Sequence, residues 1–270
     1  MAAVASGGTW DSALPAGGFA AVRSAGFEPV GQVFGAAVYY LATVAGVSCP
    51  GTTGASYPPS DTSPAGRLAD SLLGGRRTAL KRMAAECAEL GGHGIVGATL
   101  KVTEIPATSL AAAAIEFTVA GTAVRASGCP PLARPFATEL SGPDFAKLIM
   151  SGWVAAGIAL GISVAGLHDE LVTTSSGSWG TGNAEVPTYT GLVSAARAAA
   201  RDRLELSARG LGADGVVVSA LSLRLHSDRC HAHAAATDHF AEAVMTGTAV
   251  ARIGGSATGD PPPGLAVHYL

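Results

Sequence analysis

Seven side chains able to hold a metal or move a proton crowd into one short stretch: His226, Asp228, Cys230, His231, His233, Asp238 and His239. Imidazole and thiolate are the groups that Zn, Ni and Cu select over harder ions. A Cys/His-rich tract of this density points to one divalent soft or borderline metal, with His226, Asp228, Cys230, His231, His233 and His239 as its ligands. Cys230-His231-x-His233 alternates along an extended segment, so Cys230 and His233 need not face the same way. His226 and His239 flank the stretch and can approach each other across a hairpin. The spacing matches no standard zinc motif, and a solvated polar loop would have a similar composition.

Other chemistry is hard to find. No GxSxG elbow and no Walker A sequence is present. Gly92-His93-Gly94-Ile95-Val96-Gly97 fits GxGxxG, but the dinucleotide fingerprint must follow a strand and open a helix. Here the pattern reads the other way, closing a helix and opening a strand. Cys87 falls on an apolar helix stripe, where a small buried thiol is structural. Cys49 and Cys129 each precede a proline and have no histidine nearby. Glu116 and Glu242 stand at equivalent strand positions, which favours a structural or interface role. No nucleophile–base pair can be read, so the chain is expected not to be an enzyme.

The elements that must position the histidine stretch occur twice. Gly121-Thr122-Ala123-Val124 recurs as Gly247-Thr248-Ala249-Val250, 126 residues later. On the same offset Gly26 falls on Gly152, Gly31 on Gly157, Gly35 on Gly161 and Val38 on Val164. The block from Arg76 to Val96 recurs from Arg197 to Val217 at an offset of 121. Three blocks in one order imply an internal duplication. The apolar stripe Leu72, Ala79, Met83, Cys87, Leu90 predicts a helix over about 65–90, with Arg76, Arg82, Glu86 and Glu89 off the stripe. Its counterpart Val193, Ala196, Ala200, Leu204, Ala208, Leu211 predicts one over about 190–211. Strands are expected over 30–41, 95–105, 113–125, 153–166, 215–225 and 240–253, with a short helix over 142–150. The expected organisation is a flexible tail (1–18), repeat 1 (19–126), a Pro-rich linker (127–137), repeat 2 (138–253) and a loose Pro/Gly-rich tail (254–270). Within it, 168–187 reads as loop. The first hairpin loop, Pro106 to Ala111, has no metal-binding residue.

Of the 270 residues, 48% are hydrophobic and 14% charged, with a formal net charge of −3. No Lys/Arg run exists, which argues against nucleic acid. The apolar stretch 152–167 is too short to span a bilayer as a helix, and its counterpart carries Glu28 and Gln32, which argues against a membrane. The N-terminus lacks the basic and apolar regions of a secretory signal. The four cysteines form no CxxC pair and suggest no disulfide framework, so a reducing cytoplasm is expected.

Gly152 to Gly161, Leu211 to Val218 and Gly247 to Val250, with Gly26 to Gly35, Leu90 to Val96 and Gly121 to Val124 in the other copy, resemble the YbjQ-like family, which also carries the label "heavy-metal-binding domain". The resemblance covers most of residues 19–253. It implies an α+β chain of two tandem small α/β repeats (strands, long helix, β-hairpin), akin to the dodecin-like fold. It also implies ring-forming assembly, described for single-unit members as pentamers, with no reaction established. The leading expectation is a non-enzymatic assembly protein. Five chains in two stacked rings are favoured over three chains alternating around one ring. A metal-binding or metal-sensing module, and small-ligand storage at clefts between subunits, are the alternatives.

Overall fold

The computed structural model describes residues 12–40, 56–57, 64–105, 114–130, 132, 134–169, 185–230, 236–253 and 266–269. The first half contains α1 (Ala16–Ser24), β1 (Phe27–Tyr40), β2 (Ser56–Tyr57), α2 (Pro64–Glu89), β3 (Gly94–Ile105) and β4 (Ala114–Ala126). The second contains β5 (Phe136–Ala137), α3 (Gly142–Met150), β6 (Trp153–Asp169), α4 (Pro187–Gly210), β7 (Gly215–Arg229), β8 (Thr237–Arg252) and β9 (Ala266–Tyr269). The chain is α+β. Its two sheets run β1-β4-β3-β5 and β2-β6-β8-β7-β9. Each half lends a short strand to the other's sheet: β2 pairs with β6, and β5 lies parallel on β3.

The expected long helices and hairpins form close to their predicted bounds, and Met83 and Leu204 are fully buried. Several elements differ. Helix α1 begins inside the stretch read as tail, because Ala and Gly around Phe19 gave little periodic signal. Strand β5 lies at the end of the Pro-rich linker, and β9 in the C-terminal tail. Strand β6 continues to Asp169, so His168 belongs to a strand and not to a loop. Leu90 and Leu211, placed on the buried stripes, are each 40% exposed, since both follow the last helical turn.

Close contact of helix backbone with strand backbone sets the packing in both halves. A Cβ built on Gly35 would run into the carbonyl oxygen of Ala79 and lie 2.7 Å from Met83 N. One on Gly161 would meet Ala200 O and lie 2.7 Å from Leu204 N. Only glycine lets the helix sit this low on the sheet. Matched polar bonds fix the crossing. Glu86 accepts from Phe34 N at 2.6 Å, as Ser207 Oγ accepts from Leu160 N at 3.2 Å. Arg82 donates to Ala36 O, as Arg203 donates to Ile162 O. His93 and Asp214, different residues at equivalent positions, also do one job. His93 Nδ1 accepts from Ala126 N and Asp214 Oδ2 from Arg252 N, tying each helix exit to the end of the last strand.

The layers stack in one direction. Odd positions of β6 and β8 (Ala159, Ala165, Ala243, Met245) pack on α4. Even positions (Ile162, Val164, Phe240) enter the first half's core beside Ala69 and Leu72 of α2. Helix α2 is therefore covered on both sides, which corrects the placing of Arg76 off the buried stripe: it is only 5% exposed. Arg76 donates to Leu72 O and lies over the Phe117 ring. It lines a cleft of about 380 Å³ between the halves, with Glu139, Glu242 and Arg224. Burial pushes the Glu139 carboxyl up from its ordinary range, partly offset by the hydroxyls of Ser219 and Thr246.

Two stability tests probe this packing. Gly161→Ala should cost at least about 2–3 kcal/mol in urea unfolding, the scale of core overpacking. Gly191→Ala, in α4 with open space around it, should gain about 0.5–1 kcal/mol. The raised Glu139 carboxyl favours the fold when protonated, so that contribution is present below the unfolded pKa and lost as pH rises through the folded one. Glu139→Gln should thus melt higher than the parent at neutral pH, and the difference should shrink as the medium is acidified through the carboxyl range.

Candidate metal centre

The two long strands β7 and β8 carry the histidine stretch further up the sheet than the sequence predicts. Their pairing runs on to Ser227↔His239, Asp228↔Asp238 and Arg229↔Thr237. Strand β6 keeps pace on the other side, with Leu167↔His239 and His168↔Asp238. Asp238 is therefore in the middle strand, with His168 beside it. Cys230 closes the hairpin end, its N–H donating to Ala236 O at 3.0 Å.

These three residues form the centre. Their donor atoms all lie within 4.8 Å of one another. His168 is fully buried, Cys230 is 3% exposed, and His168 Nδ1 meets Asp238 Oδ1 at 2.6 Å. One thiol, one imidazole and one carboxylate are a donor set that fits Zn, Ni or Cu. Asp238 can serve as a ligand, or can hold the imidazole in one tautomer and orientation for the ion. On the offset of 126, the first half has Ala42 where the second has His168, and Ala112 where it has Asp238, so neither donor is repeated there.

The predicted residues have different fates. Cys230 is in the centre. His239 is engaged elsewhere: Nδ1 with Ser227 Oγ at 2.7 Å and Nε2 with the Tyr189 hydroxyl at 3.1 Å. His226 is exposed and stacks on Phe240, ring centroids 5.3 Å apart. The backbone of Asp228 is in β7. His231 and His233 lie outside the described residues, as do Cys49 and the first hairpin loop. His168 was missed because it is remote in sequence and borders a Ser/Thr/Gly-rich stretch. Its one signal was the alternation of β6 through Ile158, Leu160, Ile162 and Val164, whose even-numbered face His168 shares. Cys87 is a core residue whose thiol burial pushes up to about 11, far from a reactive or ligating thiolate.

Residues 65–127, from α2 through β4, match a family described as "YbjQ_1: Putative heavy-metal-binding". The match lies within the half of the chain that lacks the His168–Cys230–Asp238 group. The chain is also similar to the "Encapsulin nanocompartment protein Rv1762c" of Mycobacterium tuberculosis. The two are 29% identical over 250 residues, 89% of this chain and 85% of that protein. No solved structure matches the chain significantly. Among the described residues no helix is long and apolar enough to cross a membrane.

If the centre binds metal, dialysed protein should retain about one divalent ion per chain by elemental analysis. Cys230→Ser and His168→Ala should each abolish retention, and Asp238→Asn should weaken it by about 10–100-fold, as loss of a ligand or orienting partner does. His226→Ala should bind like the parent. Equal retention in Cys230→Ser would remove this centre from consideration.

Proposed function

We propose that this protein is a non-enzymatic, self-assembling structural protein made of two YbjQ-like units in tandem. One observation carries the reading. The outward face of β1 presents Phe34, Val38 and Tyr40 at 51%, 57% and 76% exposure, a strip of large apolar groups on a sheet face that no described helix covers. Soluble chains seldom leave such a strip to water unless another surface takes it. The similarity to a protein named for an encapsulin nanocompartment supports assembly as the role.

Two closed arrangements compete. Five chains in stacked rings would put like units together, as the pentamers implied by the family resemblance do. Three chains around one ring would alternate the units. The contact between the two halves is heterologous, the second half's sheet resting on the first half's helix, and that asymmetry favours alternation. A metal-holding role for the second unit is the second reading, supported by the His168–Cys230–Asp238 group. Native mass spectrometry tests the assembly reading against the 26.7 kDa chain. Five-fold or three-fold mass would choose the arrangement, and a single chain at micromolar concentration would overturn the reading.

A further inference from the structure

We propose that the assembly contact is head to tail, with one copy's β1 face and Ser12–Leu14 segment docking on the α4 side and β7 edge of a second copy. This rests on the assembly reading above and names its surfaces. The first support is a bonding pattern that occurs twice but is completed once. Thr138 Oγ1 meets Thr248 Oγ1 at 2.9 Å, Glu139 N donates to Thr248 Oγ1, and Leu140 N donates to Thr138 Oγ1. Ser12 Oγ meets Thr122 Oγ1 at 3.2 Å, Ala13 N donates to Thr122 Oγ1, and Leu14 N donates to Ser12 Oγ. These are the same contacts 126 residues apart.

In the second half the anchored segment does one thing more. Thr138 N donates to Ile95 O, Ala98 N to Thr138 O, and Gly97 N to Leu140 O, so the segment extends along β3 of the other half. For Ser12–Leu14 no such strand partner occurs among the described residues. At the corresponding edge of β7, Gly215 pairs with Ala266, as Gly94 pairs with Phe136 on β3. The chain's own β9 thus occupies, in the same register, the place that an incoming segment would take.

The sheet faces are unequal in the same sense. Ile158, Leu160, Ile162 and Val164 of β6 turn toward α2, and Ile162 and Val164 are buried in its core. Their counterparts on β1 are Gln32, Phe34, Ala36 and Val38, of which Phe34 and Val38 are more than half exposed. On the receiving side, Leu100 and Val102 of β3 are partly buried in the core that both halves share. Their counterparts Leu221 and Leu223, with Leu225 beyond them, are 42–53% exposed beside α4. One half of the molecule offers the covering face and the other the uncovered one. A second copy is the occupant that the contact inside the chain points to, because it carries the counterparts of both surfaces.

Complementation between variants tests this. A donor-blocked chain carries Phe34→Asp and Val38→Asp; an acceptor-blocked chain carries Leu221→Asp and Leu223→Asp. All four positions are exposed, so each variant should melt near the parent temperature, which is checked first. Each alone should be a single chain by native mass spectrometry. Mixed in equal amounts, they should give a two-chain complex and nothing larger, since one sound donor meets one sound acceptor. Parent-like oligomers of either variant alone, or a mixture that stays as single chains, would overturn the head-to-tail contact while leaving assembly intact. A parent protein that is itself a single chain would instead overturn the assembly reading.

Discussion

Everything in this molecule depends on how closely a long helix can approach a strand. At Gly35 and at Gly161 the helix backbone rests on the strand with no side chain between. That approach brings the small residues Ala79, Ala196, Ala200 and Ala208 into full burial, where a more distant helix would need larger ones. It also orients the helix so that arginine and glutamate or serine side chains reach strand backbone groups. A thin unit results, with one long helix per sheet and a bare sheet face behind. The bare face of the second half is covered by α2, and that of the first half meets water. The exposure of Phe34 and Val38 is thus a direct consequence of thinness.

Much of this was legible in the sequence, for identifiable reasons. Glycines on one offset and two apolar stripes on another are signals of backbone contact and core, and both survive divergence. Met83 and Leu204 could be placed from the stripes alone. Arg76 could not, because its burial comes from the other half's sheet, and a helical wheel contains no information about a second cover. Short pairings such as β5 on β3 were hidden for a related reason: two residues among prolines carry no periodicity, and their partner is remote in the chain. Part of the candidate metal centre was also hidden. The density of Cys and His marks the hairpin that carries Cys230 and Asp238, but His168 reaches it only through the register of β6.

The two halves place different side chains in matching roles. His93 and Asp214 accept equivalent backbone bonds from chemically different atoms. Among the described residues the paired strands of the second half run to Arg229 and Thr237, and near that end Cys230 and Asp238 find His168. His168 and Asp238 extend, past Val164 and Phe240, the rows that face the first half. The candidate centre therefore borders the stacking face without belonging to its apolar core.

The placement of β9 on β7 has a kinetic consequence. A strand carried by the same chain meets its edge at a higher effective concentration than one from another molecule. A newly made chain therefore shields its reactive edge before it encounters another. With the head-to-tail contact proposed above, growth would be an exchange in which an incoming segment replaces a tethered one. Such a threshold would hold back stray edge-to-edge pairing in dilute solution and let the proposed association proceed only once copies accumulate.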